Sequence, residues 1–137
     1  MEALSPAEVV VRARSLLGLP ASDEGSAWHV RRLDGKGAYF LVHVERRVAC
    51  LDAVSGVLLA SGDAVRPPVV IAREAALERA SLVGAPTVEL VWKPCVATLS
   101  MFDPLWSVAL GERTVFVDQR GKVWPALPPA GPGGAGR

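Results

Sequence analysis

Apolar residues recur three or four positions apart in two segments of the chain, and each segment ends at a glycine followed two residues later by a proline. That spacing is typical of amphipathic helices, and the Gly-x-Pro ending is a common helix stop. The first segment starts at Ser5, which forms a capping box with Glu8, while Pro6 suits the first helical position. We therefore predict one helix from Pro6 to Leu17 and a second from Val69 to Val83.

After each predicted helix the hydrophobic period falls to two residues, which indicates β-strands. The first set of predicted strands covers Ala27–Leu33, Ala38–Glu45, Val48–Ala53 and Val57–Leu59. The second set covers Thr87–Trp92, Leu105–Leu110, Thr114–Asp118 and Lys122–Trp124. The pattern predicts an α+β fold made of two tandem α-β-β-β(-β) units, with an antiparallel sheet and the two helices packed on one face.

The same pattern suggests how the chain divides. We expect a first αβββ unit over residues 1–63 and a second over residues 69–127, joined by a short linker at Gly62–Pro68. Residues 128–137 are rich in Pro and Gly and are expected to be a disordered tail.

The third predicted strand of each unit has an aspartate at or next to its last position, and a glycine follows a few residues later. These pairs are Asp52 with Gly56 and Asp118 with Gly121. An aspartate can accept hydrogen bonds from backbone amides two residues on, and a glycine allows the positive φ that a reversal needs. We interpret the two aspartates as turn residues and not as paired carboxylates for acid–base chemistry.

The strand at residues 39–44, followed by a hairpin of the type hydrophobic-Asp-x-x-x-Gly-x-hydrophobic, resembles the PepSY domain, and residues 106–110 followed by 117–123 resemble it again. The resemblance covers most of residues 5–127 as a tandem. Similar units occur in small bacterial immunity proteins and in tandem-repeat enzyme inhibitors. The resemblance implies a binding or inhibitory module, often acting on a peptidase or outside the cytoplasmic membrane, with no catalytic residues to transfer.

The amino-acid composition limits the classes of partner and the cellular location that we expect. Lys and Arg number 15 and Asp and Glu number 14, so the chain lacks the basic excess typical of nucleic-acid binders. Apolar runs fall short of the roughly 20 residues that span a membrane. The sequence shows no secretory signal, so we expect a cytoplasmic protein unless a leader has been removed.

The residues that could carry chemistry are scattered along the chain. His29, His43, Cys50 and Cys95 lack the closely spaced pairs of structural zinc sites. We interpret them as two partly exposed strand histidines and two buried thiols, and leave open whether the cysteines form a disulfide. We predict no catalytic residue, no metal site and no cofactor, and therefore no enzyme.

The most unusual segment is the apolar stretch from Pro94 to Trp106, which is longer than the corresponding connection in the first unit. Long loops in compact domains often carry function, and Met and aromatic side chains are common at binding sites. Its candidate protein-binding residues are Leu99, Met101, Phe102, Leu105 and Trp106. The alternative is that Met101 and Phe102 fold back into the core or bury a contact between two copies.

These observations predict a non-catalytic protein-binding module of an inhibitory, immunity or regulatory type, acting through the apolar loop or a sheet face. Two alternatives stay open. The chain could be a self-associating structural protein that forms a homodimer by extending its sheet, or a small-ligand binder or enzyme with an unrecognised pocket.

Overall fold

A computed structural model describes residues 4–94 and 100–126 of the chain, so the predicted tail at 128–137 lies outside the described residues. The chain divides into two compact units, Met1–Pro68 and Val69–Arg137. Within the described residues, each unit contains one helix followed by four strands, and consecutive strands within a unit pair antiparallel. The predicted α+β class is confirmed.

The first unit contains the helix α1 and the strands β1 to β4, in the strand order β4-β3-β2-β1. Their bounds are α1 Pro6–Leu16, β1 Ser26–Arg32, β2 Ala38–Val44, β3 Arg47–Asp52 and β4 Leu58–Asp63. The second unit contains α2 and the strands β5 to β8, in the order β5-β6-β7-β8. Their bounds are α2 Arg73–Ala80, β5 Thr87–Trp92, β6 Leu105–Leu110, β7 Arg113–Val117 and β8 Val123–Trp124.

Helix α1 starts as its sequence predicts. The Ser5 hydroxyl accepts a hydrogen bond from the Glu8 amide at 3.1 Å, and the Glu8 carboxylate accepts one from the Ser5 amide at 3.1 Å. These two bonds satisfy amide groups that the first turn of a helix leaves without a partner. The inner face of the helix packs on β2 and β3 and forms a core of Val9, Val10, Ala13, Phe40, Val42, Val44, Ala49, Leu51 and Ala53.

Helix α2 is shorter than the predicted helix Val69–Val83, and it begins later than predicted, at Arg73. The amides of Val70 and Ile71 both donate to the side-chain oxygen of Gln119, at 2.8 and 2.9 Å. A distant side chain therefore holds this segment outside the helix. The residue at the N-cap, Ala72, has no side chain that can bond the first helical amides.

The end of α2 also differs from the prediction. Ser81 adopts a left-handed conformation, with φ of 56°, and ends the helix three residues before Gly84. The Ser81 hydroxyl donates to the Glu78 carbonyl at 3.2 Å. Val83, the last residue of the predicted helix, is 93% exposed.

The turn between β3 and β4 has the predicted aspartate geometry. The Asp52 carboxylate accepts the Ser55 amide at 2.8 Å and the Val54 amide at 3.0 Å, and Gly56 has a φ of +73°. The Ser55 amide, and after it the Val54 amide, holds the pKa of Asp52 below its usual value of 3.8. The interpretation of Asp52 as a turn residue is confirmed.

The turn between β7 and β8 repeats this arrangement with a buried carboxylate. Asp118 is 1% exposed and accepts the amides of Arg120 and Lys122, both at 2.9 Å. Gly121 has a φ of +88°. Asp118 also accepts the indole N–H of Trp124 at 3.1 Å, so several donors compensate its buried charge.

Each helix also contacts the turn glycine of its own unit through an arginine, a feature that the sequence did not reveal. The Arg12 Nε donates to the Gly56 carbonyl at 2.8 Å, and an Arg79 guanidinium nitrogen donates to the Gly121 carbonyl at 3.1 Å. A Cβ on either glycine would overlap the arginine. We call these two contacts the Arg–Gly clamps.

Strand β4 is longer than the predicted Val57–Leu59. Gly62 pairs with Val48 and Asp63 with Arg47, so both residues belong to the sheet. The prediction that the linker begins at Gly62 is therefore wrong. Glycine and aspartate are rare inside strands, and their pairing here depends on β3, which local sequence does not report.

Candidate functional site

The structure separates the predicted binding residues into two groups. Leu105 and Trp106 begin strand β6 and are 0% and 7% exposed, so their side chains belong to the interior. Met101 and Phe102 precede the strand and are half-buried, which leaves part of each at the surface. Leu99 lies outside the described residues.

Met101 and Phe102 belong to a turn at residues 100–104, which we call the apolar turn. The amide of Phe102 donates to the Ser100 hydroxyl at 3.1 Å, and the amide of Asp103 donates to the Ser100 carbonyl at 3.1 Å. The indole N–H of Trp92, on β5, donates to the same carbonyl at 2.8 Å. The first half of the turn is therefore fixed to a strand of its own unit.

The second half of the apolar turn is held by the segment that links β7 to β8. The Gln119 side-chain amide donates to the Pro104 carbonyl at 3.1 Å, and Gln119 is only 7% exposed. A guanidinium nitrogen of Arg120 lies 3.5 Å from the Asp103 carboxylate. Both ends of the turn thus have side-chain anchors, so Met101 and Phe102 lie on a defined backbone.

The β7–β8 turn brings further binding-type side chains beside the apolar turn. Arg120 lies between the carboxylates of Asp103 and Asp118, 3.5 Å from each. The Lys122 ammonium lies 4.1 Å from the centre of the Trp124 ring, a cation–π contact. Arg120 and Lys122 are exposed and Trp124 is half-buried.

Together these side chains form one surface of the second unit, which we call the turn–hairpin patch: Met101, Phe102, Arg120, Lys122 and Trp124. Tryptophan and arginine dominate the energetics of many protein interfaces, and methionine adapts to irregular partner surfaces. The patch combines these residue types on a supported backbone, and its chemistry suits binding to a protein.

The two histidines lie on opposite faces of the sheet in the first unit. His29 is opposite Phe40 in the sheet register, on the face that packs against α1, whereas His43 is on the opposite face. The His43 Nε2 lies 2.8 Å from the Ala64 carbonyl oxygen. Burial raises the pKa of the Cys50 thiol to about 12, so it is protonated at neutral pH and a weak nucleophile.

Cys95 lies outside the described residues. Within residues 4–94 and 100–126, no group of three or more His, Cys, Asp or Glu side chains is arranged to hold a metal ion.

The first unit exposes a second apolar surface that the sequence analysis missed. Its members are the β3–β4 turn and the start of β4, where Val54, Val57, Leu58 and Leu59 are 41%, 55%, 36% and 41% exposed. A signal for it was present in the sequence. Val57, Leu58 and Leu59 are consecutive, and a strand with only one covered face cannot bury three consecutive side chains.

A shallow groove of about 630 Å³ follows the outer face of α1. Its walls mix apolar and charged residues: Leu4, Ala7, Glu8, Val11, Arg12, Ser15 and Asp23. Glu8 is committed to the capping box and Arg12 to its clamp. Two of the three charged side chains of this groove thus already serve the fold, and the groove is a weaker candidate than the turn–hairpin patch.

No protein-family model, curated protein or solved structure matches this chain. In the part of the chain that the structure describes, neither helix has the length and apolar character needed to cross a membrane.

Proposed function

We propose that the protein is a non-catalytic protein-binding module, of an inhibitory, immunity or regulatory type, and that the turn–hairpin patch contacts its partner. The observation that carries this proposal is the anchoring of the apolar turn. Trp92 and Gln119 are almost fully buried, and both use side-chain N–H groups to hold its backbone. Met101 and Phe102 nevertheless reach the surface.

The physical advantage of such an anchor is a lower entropy cost on binding. A mobile loop loses conformational freedom when it docks, at about 0.5–1.5 kcal/mol for each immobilised side chain. A turn that is already fixed avoids the backbone part of this loss. Met101 and Phe102 then contribute their apolar area to the interface with less opposing entropy.

We also propose that the two units are related tandem copies of a PepSY-like unit. The supporting feature is the pair of Arg–Gly clamps. Arg12 is six residues after the first residue of α1, and Arg79 is six residues after the first residue of α2. Each donates to the glycine carbonyl of the corresponding turn, so the order of elements and one tertiary contact recur together.

Affinity capture tests the binding proposal. Tagged wild-type protein is compared with a Met101→Asp/Phe102→Asp variant in lysate of the source cell, and captured proteins are identified by mass spectrometry. The control is Val83→Asp, which places one aspartate on an exposed apolar residue of the same unit. We expect one stoichiometric partner with the wild type and the control, and its loss with the double variant.

The capture result requires that the double variant is folded. Because both side chains are half-buried, we expect it to unfold with a midpoint close to that of the wild type in urea. A Lys122→Glu variant gives a second test, since Lys122 is exposed and reversal of its charge leaves the core intact. A partner that binds the wild type and all three variants equally would refute the patch as the binding site.

A further inference from the structure

Lys122, in the turn–hairpin patch, is held in place at its backbone and at its charged group. Its amide donates to the Asp118 carboxylate at 2.9 Å, and its ammonium lies 4.1 Å from the centre of the Trp124 ring. The indole N–H of Trp124 donates to the same carboxylate at 3.1 Å. Asp118 is 1% exposed, so one buried group positions both the lysine backbone and the ring that its ammonium contacts.

The positive charge of Lys122 is open to a partner. Among residues 4–94 and 100–126, no Asp or Glu side chain lies within ion-pair distance of its ammonium. An aromatic ring attracts a cation but does not neutralise its charge. Because an ammonium has three N–H donors and Lys122 is exposed, a carboxylate of another molecule can reach it beside the ring.

The carboxylates of this region lie below the cations. The Asp103 and Asp118 side chains are 18% and 1% exposed, whereas the Arg120 side chain is 53% exposed. Both carboxylates lie 3.5 Å from the Arg120 guanidinium, so they balance its charge from the inner side. Lys122 therefore supplies the excess positive charge that this surface presents to a partner.

Apolar contact area adjoins these cations. Met101 and Phe102 are half-buried and directly precede Asp103, which contacts Arg120. A partner that is complementary to the whole patch needs a carboxylate for Lys122 and an apolar side chain close to it. Such a match of opposite charges speeds association and selects between partners.

The small size of the patch favours a short segment of a partner over a broad folded surface. A standard interface between folded proteins uses about 20–30 residues from each side. The turn–hairpin patch has five side chains on two turns, and buried Trp92, Gln119 and Asp118 fix the backbone of those turns. A few residues of an extended segment are enough to cover it.

Resting on the proposed function, we propose that the turn–hairpin patch binds a short acidic segment of a partner protein. An Asp or Glu of the segment pairs with the Lys122 ammonium, and a neighbouring apolar side chain packs on Met101 and Phe102. A single-stranded nucleic acid would instead stack its bases on open aromatic faces, whereas the ammonium of Lys122 covers one face of the Trp124 ring. The near balance of 15 Lys and Arg against 14 Asp and Glu also favours a protein.

Selection from a random peptide library displayed on phage tests the charge of the segment. The full chain, Lys122→Glu and an Arg113→Glu control are immobilised, and the bound peptides are sequenced. Arg113 is exposed and begins β7, roughly 13 Å from Val117 at the other end of the strand. This distance exceeds the screening length of about 8 Å at physiological salt, so the control changes the net charge equally but away from the β7–β8 turn.

We expect the wild type and Arg113→Glu to enrich peptides with Asp or Glu next to apolar residues. Lys122→Glu should lose the preference for Asp and Glu and keep the preference for apolar residues, because Met101 and Phe102 are unchanged. The same acidic preference in all three proteins would overturn the pairing with Lys122.

The other outcomes separate this inference from the proposed function. Peptides that show no acidic preference but are lost with Met101→Asp/Phe102→Asp would overturn the acidic segment and leave the patch as a protein-binding surface. Peptides that the double variant binds equally well would contradict both. No enriched peptide would also overturn the acidic segment, and the capture experiment then decides on the patch by itself.

Fluorescence anisotropy of one selected peptide measures the size of the effect. The labelled peptide, and a copy in which the enriched acidic residue is replaced by its amide, are titrated with the wild type and with Lys122→Gln. Because the ion pair is exposed, either neutralisation should raise the Kd about two- to fivefold, and both together should raise it no further. A labelled oligothymidine that binds the wild type more tightly than the peptide, and loses binding in Lys122→Gln, would assign the patch to nucleic acid and overturn the proposal.

Discussion

The Arg–Gly clamp of the first unit gives the sharpest stability prediction, through the substitution Gly56→Ala. Gly56 combines a φ of +73° with a carbonyl that accepts the Arg12 Nε at 2.8 Å, and a Cβ would overlap the Arg12 guanidinium. Gly35 is the matched control. It lies in another hairpin turn with a φ of +82°. Apart from Gly35 and its two chain neighbours, no atom of the described residues lies within 4 Å of the position of its Cβ.

The two substitutions share one cost and differ in another. A left-handed conformation costs a non-glycine residue about 1 kcal/mol, and both alanines incur it. At Gly56 the arginine must also move and lose its charged hydrogen bond, which would cost about 1.5–3 kcal/mol in a buried site. Arg12 is exposed, so solvent reduces this second cost to about 1 kcal/mol. We expect Gly56→Ala to lower the free energy of unfolding by about 2 kcal/mol and Gly35→Ala to lower it by about 1 kcal/mol.

Urea unfolding of a double-mutant cycle with Arg12→Met isolates the clamp. Methionine retains the aliphatic part of the side chain and removes the guanidinium. Once the arginine is absent, Gly56→Ala should cost no more than Gly35→Ala, which gives a coupling energy of about 1 kcal/mol. Losses for Gly56→Ala and Arg12→Met that add to within about 0.3 kcal/mol would refute the clamp as a stabilising contact.

Three further predictions concern separate parts of the chain. Because the pKa of Asp52 is lowered in the fold, the ionised carboxylate stabilises the fold at pH values above its ordinary pKa of 3.8, and this contribution is lost as the pH falls below that value. Asp52→Asn should therefore lose less free energy of unfolding between pH 7 and pH 3 than the wild type. Urea titration at each pH measures this difference. Arg14 is 5% exposed and bonds Glu45 at 2.9 Å, whereas the Glu45 side chain is 52% exposed. Thermal unfolding should therefore show that Arg14→Ala lowers the free energy of unfolding by about 2 kcal/mol and Glu45→Gln by less than about 1 kcal/mol. Equal losses for the two variants would contradict this prediction. In urea unfolding, Leu105→Ala should lower the free energy of unfolding by about 2–5 kcal/mol, and Met101→Ala by about 1 kcal/mol or less. The reverse order would show that the apolar turn belongs to the core.

Local signals in the sequence predicted the elements that local interactions determine. The capping box set the start of α1, and the bounds of β5 and β6 are as predicted. The aspartate turns were also predictable, because Asp52 and Asp118 bond amides only a few residues away. For the capping box and the two aspartate turns, the hydrogen-bond partners lie within the same short segment.

The elements that the sequence misjudged depend on residues far away in the chain. Helix α2 starts late because Gln119 binds the amides of Val70 and Ile71, which it follows by 49 and 48 positions. The extension of β4 depends on its pairing with β3. Neither contact leaves a periodic trace in the sequence.

The candidate site was predicted only in part, for a similar reason. An apolar segment next to a strand indicates contact area, but not which residues enter the sheet. Leu105 and Trp106 enter it, whereas Met101 and Phe102 remain at the surface. The anchors of the apolar turn and its cationic and aromatic neighbours come from the β7–β8 segment, which only the fold places beside it.

The most direct test of the proposed function is photo-crosslinking in the source cell. A photoreactive phenylalanine analogue replaces Phe102 in one variant and the exposed Val83 in another, and the products are compared after irradiation. We expect the variant at position 102 to give one discrete heavier product that contains a second protein, and the variant at position 83 to give none. The same products from both positions, or none from position 102, would contradict the turn–hairpin patch as a protein-binding surface.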